Sequence, residues 1–279
     1  MNTAPIDNSQ QQLIYKQIGN SINDMYFFPP TQTRGELAPI LLLIPGGGWQ
    51  RNTSISMYNM AKSTAEFLRA NGFAVATISY RGQQADGVSM REIVTDIFDA
   101  LGYLSHYSEI LKIDPNRIYT MGHSAGGHLS LIAAYDDPNG INGQNRIYTD
   151  SFTVKGVAAI SPATILPFEN RELYSPIDIK PLFAEETREE YDRFSPYFMI
   201  NSSTPPTYLA AGDKDDLVLP IHSDILYKAL TSAGVNSLFT LCKGGDHCCL
   251  PAADQTASVP DLLVVLDQAA QFILACENQ

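Results

Sequence analysis

The residue in this sequence best suited to chemistry is the serine within residues 122–126, which read Gly-His-Ser-Ala-Gly. A strand is predicted over residues 117–121 and a helix over residues 125–135, so Ser124 lies in a tight strand-to-helix turn. Small neighbours avoid clashes there, and positive partial charge at the helix N-terminus favours a developing anion. The pattern therefore predicts a serine nucleophile for acyl transfer. The alternative is a serine that only caps the helix.

A run of three glycines occurs earlier in the chain. Residues 45–49 read Pro-Gly-Gly-Gly-Trp and follow an apolar strand predicted over residues 39–44. Consecutive glycines cost conformational entropy, and a tight turn is one reason for them. The other reason is chemical, because bare backbone N–H groups can approach a substrate oxygen, and each such donor is worth about 3–4 kcal/mol in acyl transfer. The candidate oxyanion donors are the amides of Gly47, Gly48 and Ala125.

A nucleophilic serine in a strand-to-helix turn needs an acid and a base, expected later in the chain in that order. A strand is predicted over residues 206–211, and the loop over residues 212–218 follows it. Such loops lie at the carboxyl ends of strands, where an open parallel sheet builds its site. The residues of this loop alone leave three candidates for the acid: Asp213, Asp215 and Asp216.

The candidate base is His247. It ends residues 243–247, a glycine-containing loop that follows a strand predicted over residues 238–242. It is the histidine that lies in such a loop beyond the candidate acids. The other four histidines are expected to be structural or solvated: His106, His123, His128 and His222.

A metal site is the alternative use of His247, since three cysteines are close to it in sequence: Cys242, Cys248 and Cys249. No second Cys-x-x-Cys pair and no paired-histidine spacing accompanies them, so the pattern predicts no metal. Together with Cys276, these cysteines are expected to be reduced thiols.

The composition excludes some partners. The chain has 279 residues, 44% hydrophobic and 17% charged, with a net charge of −12. An acidic surface repels nucleic acid and anionic membranes, so neither is an expected partner. Residues 1–20 lack the basic and apolar regions of a signal peptide, and residues 262–274 are interrupted by polar side chains, as in a packed amphipathic helix. We therefore expect a cytoplasmic protein.

The elements that must hold these loops alternate between short apolar runs and longer helical patterns. This alternation is typical of a mostly parallel sheet covered by helices. Further strands are predicted over residues 12–18, 25–28, 73–79 and 154–161, and further helices over residues 57–70, 90–106 and 262–274.

Residues 166–203 interrupt this alternation. The segment is rich in proline, has an acidic patch at residues 185–190, and carries six aromatic residues: Phe168, Tyr174, Phe183, Tyr191, Phe194 and Tyr197. Aromatic residues are scarce in disordered segments, so we predict an ordered lid inserted into a single domain over residues 1–279. The alternative is an extra helix pair packed on the edge of the sheet.

With these features the chain resembles the α/β-hydrolase superfamily, in particular the bacterial acetyl-esterases and hormone-sensitive-lipase-like carboxylesterases. The resemblance runs from the glycine loop to the last helix, and residues 122–126 match the nucleophile elbow of that superfamily. Its members place the acid in a Gly-x-x-Asp-x-x-Val pattern. Gly212, Asp215 and Val218 match this pattern, so the resemblance favours Asp215.

Two further positions bear on the resemblance. Pro45 stands where the family usually has histidine, although the glycines that donate to the oxyanion are retained. The pair Tyr80-Arg81 also resembles the family, in which this arginine is usually structural. The resemblance implies an α/β-hydrolase fold and a serine carboxylesterase that needs no cofactor and works through an acyl-enzyme.

The expected substrate is a small-molecule ester with a short acyl group, and acetylated carbohydrates are candidates. The acyl group is expected to be short because Trp49 and the aromatic residues of residues 166–203 would border its pocket. Two alternatives stay open. One is an aminopeptidase or formamidase that uses the same three side chains, and the other is a non-catalytic binding protein of this fold.

Overall fold

The computed structural model describes residues 10–168 and 176–278. Tyr174 of the predicted lid lies outside the described residues, and so does the first part of residues 1–20.

Eight strands form one sheet in the order β1-β2-β4-β3-β5-β6-β7-β8. The first two strands pair antiparallel with their neighbours, and all later pairings are parallel. The mostly parallel sheet predicted from the sequence is confirmed. The strands are β1 Gln11–Ile18, β2 Ser21–Phe28, β3 Ala38–Ile44, β4 Ala74–Ile78, β5 Ile113–His123, β6 Val154–Ile160, β7 Thr207–Gly212 and β8 Ser237–Cys242.

Helices lie on both faces of the sheet. No helix among the described residues is both long enough and apolar enough to cross a bilayer. The helices are α1 Ser56–Met60, α2 Lys62–Ala70, α3 Gln83–Asp86, α4 Met90–His106, α5 Ser108–Leu111, α6 Ala125–Tyr135, α7 Arg188–Arg193, α8 Ile221–Ser232 and α9 Leu262–Glu277.

The unbroken apolar sequence of β3 follows from burial on both faces, which is typical of parallel sheets. Leu42 and Ile44 enter the core that contains side chains of α4 and α6. Leu41 and Leu43 enter a second core on the other face, with side chains of α2 and α9. Since β3 is held from both sides, the glycine loop that follows it starts from a fixed point.

Most predicted elements are present with small shifts at their ends, and α4 and α6 have the predicted bounds. β5 begins four residues earlier than predicted, because Ile113 pairs with Ala38 despite the turn-forming Asp-Pro-Asn sequence that follows it. The single helix predicted over residues 57–70 is wrong. Ala61 has φ −98° and ψ 26°, outside the helical region, and separates α1 from α2.

Arg81, which the resemblance makes structural, belongs to a buried ionic cluster. Its guanidinium donates to both carboxylate oxygens of Asp96 at 2.8 and 2.9 Å. Lys16 Nζ lies 2.7 Å from Asp96 Oδ1 and 2.5 Å from Asp99 Oδ2. Two cations thus compensate two carboxylates that could not be buried alone, and the cluster ties β1 and the end of β4 to α4.

The described part of residues 166–203 contains α7 and two short 3₁₀ helices, Lys180–Leu182 and Pro196–Met199. Of the helix pair expected as the alternative, the described residues show one short α-helix. Leu166, Leu182 and Phe194 are buried in the same core as α4 and α6. The segment is therefore packed onto the body of the protein, and its action as a lid stays a prediction.

Candidate active site

Ser124 connects the end of β5 to the start of α6 in a left-handed conformation, with φ 57° and ψ −125°. Its amide donates to the Ile160 carbonyl at 2.8 Å. Its side chain makes no capping hydrogen bond to α6, so the interpretation of Ser124 as a helix cap is wrong. An L-residue rarely adopts this conformation unless its surroundings impose it. The turn leaves the hydroxyl available for another purpose.

The glycines around Ser124 are required by close backbone approach. A Cβ on Gly46 would lie 2.6 Å from the His123 carbonyl oxygen. A Cβ on Gly126 would overlap the backbone of Ile44 and Pro45, and one on Gly122 would overlap Gly126. The spacing in residues 122–126 is therefore the condition for packing α6 against the ends of β3 and β5.

The glycine loop after β3 is left-handed at three consecutive residues. The φ values are 114° at Gly47, 61° at Gly48 and 57° at Trp49. The hydrogen bonds among the described residues include none donated by the Gly47 or Gly48 amide. The Ala125 amide lies in the first turn of α6, where helix amides have no intrahelical partner. These three predicted donors thus belong to two segments that meet at Gly46.

His247 and Asp215 are brought together by the loops that follow β8 and β7. His247 Nδ1 lies 2.7 Å from Asp215 Oδ2. The other carboxylate oxygen, Oδ1, accepts the amides of Leu217 and Val218 at 3.0 and 2.9 Å. The Asp215 side chain is fully buried. Asp215 is therefore held by its own loop with one oxygen directed to the imidazole.

The other two aspartates of this loop have different surroundings. Asp213 Oδ1 accepts the Gly244 amide at 2.7 Å, a contact that joins the β7 and β8 loops. Asp216 is exposed. Of the three candidates left open by the loop sequence, Asp215 is the one in contact with His247.

The second ring nitrogen of His247, Nε2, is buried and has no hydrogen-bond partner among the described residues. Its loop is held from the other side by His123, whose Nε2–H donates to the His247 carbonyl at 2.8 Å. The two imidazole rings lie 4.7 Å apart. Burying a ring nitrogen without a hydrogen-bond partner costs free energy of folding. Such a nitrogen is typical of a catalytic histidine whose hydrogen bond forms only when substrate binds.

A cavity of about 20 Å³ borders Ser124 and Ala125. This is close to the space that one water molecule needs. Most of its walls are apolar, and several come from the predicted lid: Leu166, Pro167, Ile177 and Ile179. A larger cavity of about 650 Å³ lies near the amino ends of β3 and β5 and contains none of the predicted site residues.

Three of the histidines expected to be structural or solvated lie close to Ser124. His123 holds the His247 loop, His128 is fully buried in α6, and His222 lines the Ser124 cavity. Their structural character was expected, but their contacts with the site were not. Sequence offers one signal, since His123 and His128 flank Ser124 along the chain, and their ring contacts depend on tertiary packing.

No group of three or more His, Cys, Asp or Glu side chains in the described part of the chain is arranged to hold a metal ion. Cys242 and Cys249 are buried free thiols, whereas Cys248 and Cys276 are partly exposed.

Comparison with known proteins gives a family match. A family model described as BD-FAE matches residues 24–230. Isoprenylcysteine alpha-carbonyl methylesterase ICME of Arabidopsis thaliana is 25% identical over 252 residues, which cover 85% of this chain and 56% of that protein. The acetylxylan esterase of Xylanibacter ruminicola is 24% identical over 209 residues, covering 73% of this chain and 39% of that protein. The chain thus spans about half the length, or less, of these two curated relatives.

Among solved structures, the esterase Est2 of Thermogutta terrifontis matches with a TM-score of 0.77 at 20% identity, covering 96% of this chain and 92% of that chain. Est2 has also been solved with butyrate bound and phosphoramylated by tabun. At this identity the likeness concerns the fold. The α/β-hydrolase fold implied by the sequence resemblance is confirmed.

The stability of the protein is expected to fall in mild acid because two histidines near Ser124 are buried. Burial lowers the pKa of His123 to about 4, with a smaller effect of His247, and burial lowers the pKa of His128 to about 4. An unfolded histidine titrates near 6.5. As the pH falls from about 6.5 to 4, these two histidines bind protons in the unfolded chain but not in the folded chain, so the free energy of unfolding decreases.

Urea denaturation between pH 7.5 and pH 4 measures this loss. The His128→Asn variant should lose less stability over this interval than the wild type, because one of the two groups has been removed. Substitution of Leu129, a fully buried non-titrating neighbour in α6, by alanine is the matched control and should lower stability at every pH without changing the slope. Equal slopes for the wild type and His128→Asn would contradict the neutral, buried state of His128.

Proposed function

Because the chain belongs to the BD-FAE family, we propose that it is a serine esterase that hydrolyses carboxylic esters with Ser124, His247 and Asp215. One observation carries the proposal. A His247–Asp215 pair at 2.7 Å leaves the other imidazole nitrogen without a partner among the described residues. The His247 loop is held by His123, the residue directly before Ser124 in its left-handed turn. This is the arrangement in which a histidine takes the proton of a serine nucleophile.

The proposed acylation step uses all three side chains. His247 Nε2 accepts the hydroxyl proton as Ser124 Oγ bonds to the carbonyl carbon, and the carbonyl electrons move to oxygen. Asp215 accepts from Nδ1, which selects the tautomer with Nε2 free and stabilises the imidazolium that forms. His247 Nε2 and Ser124 Oγ are not hydrogen-bonded to each other, so we expect substrate binding to complete this bond.

The oxyanion is expected to be bound by the amides of Gly47, Gly48 and Ala125. Donors already placed where charge develops cost no reorganisation during the reaction. The imidazolium then protonates the departing alcohol, and the acyl group stays on Ser124. Water, deprotonated by His247, attacks the acyl-enzyme, and collapse of the second oxyanion releases the acid and restores the serine. No cofactor is needed.

The acyl group is proposed to be short, from acetyl to butyryl. The cavity beside Ser124 has a volume of about 20 Å³ and is walled by Trp49, Ile177 and Ile179. A relative named acetylxylan esterase and the butyrate-bound form of Est2 support this size. The first also supports acetylated carbohydrates as the substrate class.

Ser124→Ala should lower kcat by at least ~10⁴ without loss of folding, because the nucleophile is removed. A fluorophosphonate probe followed by peptide mapping should label Ser124 in the wild type. The matched control is Ser232→Ala, since the hydroxyl of this exposed serine of α8 donates to the Lys228 carbonyl within its own helix. Label on another serine would refute the assignment.

Asp215→Asn should be the most damaging of the three aspartate substitutions, with kcat lowered about 10³–10⁴-fold, because an amide selects the wrong imidazole tautomer. Asp213→Asn and Asp216→Asn serve as controls and should cost far less. Steady-state kinetics on nitrophenyl acetate measure the series. If Asp213 or Asp216 proves essential instead, the assignment of the acid is wrong.

Activity on nitrophenyl esters from C2 to C16 should peak between acetyl and butyryl and fall steeply by octanoyl. Each methylene adds about 0.8 kcal/mol only until the pocket is full. Ile179→Ala removes part of the cavity wall and should move the maximum to longer chains, whereas the exposed Ile147→Ala should not.

The same panel includes acetylated sugars, aminoacyl nitroanilides and formamides. A maximum at C8 or beyond in the wild type would contradict the short pocket. A preference for nitroanilides or formamides would make the protein an amide hydrolase.

A further inference from the structure

A continuous hydrogen-bonded chain runs behind the candidate site. Trp49 Nε1 donates to His128 Nδ1 at 3.0 Å, and His128 Nε2 lies 2.7 Å from the Phe194 carbonyl. The indole and imidazole rings meet edge to face, with centroids 5.3 Å apart. All three residues are buried. They come from the glycine loop, from α6 behind Ser124, and from the end of α7 in residues 166–203.

The hydrogen-bond partners determine the protonation state of His128. An indole nitrogen can only donate and a carbonyl oxygen can only accept. His128 Nδ1 must therefore be the acceptor, and the proton must sit on Nε2. Burial lowers the pKa of His128 to about 4, so the ring is neutral at physiological pH. One neutral tautomer satisfies both ends of the chain, and an imidazolium would break the bond to Trp49.

Trp49 needs such an anchor because of its backbone. Its φ of 57° is unusual for a bulky residue. The residue directly follows Gly48, whose amide is a proposed oxyanion donor. The peptide between Gly48 and Trp49 carries the Trp49 N–H, and the Gly48 N–H belongs to the peptide before it. A change of φ at Trp49 would therefore displace Gly48 and, with it, the donors of the loop. Its indole is held by a partner in the helix that carries Ser124.

We infer that His128 is a positioning residue, which holds the Gly47 and Gly48 amides in place through Trp49 and ties the glycine loop to α6. This inference rests on the proposed esterase function. His128 does not line the Ser124 cavity, so it acts through Trp49 rather than on the substrate. The bond to Phe194 fixes the imidazole tautomer and extends the tie to residues 166–203.

Two conservative variants separate the two bonds of His128. In His128→Asn the amide oxygen takes the place of Nδ1, so the acceptor for Trp49 is kept and the donor to Phe194 is lost. In His128→Gln the amide nitrogen reaches the place of Nε2, so the donor to Phe194 is kept and the acceptor for Trp49 is lost. His128→Leu removes both. Leu129→Ala, a fully buried neighbour in α6, controls for general loss of stability.

The variants should differ in kcat on nitrophenyl acetate, measured well below the melting temperature of each. His128→Leu and His128→Gln should lower kcat about 10–100-fold with little change in KM, because misaligned donors affect the transition state more than the bound ester. His128→Asn should recover most of this loss. Leu129→Ala should lower the melting temperature and keep kcat within about threefold of the wild type.

A second measurement tests the hydrogen bond between Trp49 and His128 without an activity assay. Trp49 is the single tryptophan of the chain, so ¹⁵N-labelled tryptophan gives one indole N–H resonance. A hydrogen bond to an imidazole nitrogen shifts this proton downfield and protects it from exchange. The shift and protection should persist in His128→Asn and disappear in His128→Gln and His128→Leu.

The outcomes separate the two proposals. A wild type that neither hydrolyses esters nor reacts with fluorophosphonate overturns the proposed function, and this inference with it. An active wild type whose His128→Leu variant keeps its kcat overturns the inference alone. So does a series in which His128→Gln is active and His128→Asn is not, because the Phe194 bond would then carry the effect. An indole resonance unchanged by His128→Leu has the same consequence.

Discussion

The candidate site depends on the contact of three backbone segments at positions where a side chain cannot fit. The end of β3, the end of β5 and the start of α6 approach so closely that a Cβ at Gly46, Gly122 or Gly126 would overlap neighbouring backbone. This contact places the glycine loop beside Ser124. Without it, the loop amides and the hydroxyl would belong to unconnected parts of the sheet edge.

Strained residues occur in loops that follow the parallel strands. Trp49, Ser124, Ser161 and Cys249 are non-glycine residues with positive φ, and each follows a strand of the parallel sheet at its carboxyl end. Such conformations cost of order 1–3 kcal/mol each and persist only where packing imposes them. Here the packing is extensive, since all four residues are buried. The rigid sheet thus supports a set of loops that would not keep these conformations alone.

The charge states of the side chains around His247 depend on burial as much as on ion pairing. His123 contacts the His247 loop and stays neutral because burial lowers its pKa to about 4. A positive charge at this position would oppose the imidazolium that the proposed mechanism forms on His247. Asp215 is directed by two backbone amides and faces His247. One carboxylate and one neutral imidazole therefore lie next to His247.

Local patterns in the sequence determined much of this protein: the alternation of strands and helices, the strand-to-helix turn at Ser124, and the glycine loop with its bare amides. Such patterns predict structure because a turn or an apolar run depends on residues that are close together in the sequence. Spacing alone left Asp213, Asp215 and Asp216 equivalent, and the family resemblance favoured Asp215. Contact with His247 across two loops also distinguishes Asp215. Likewise, the pairing of Trp49 with His128 joins residues 79 positions apart. Tertiary structure decided such contacts, because packing of distant segments sets which side chains meet and which lose water.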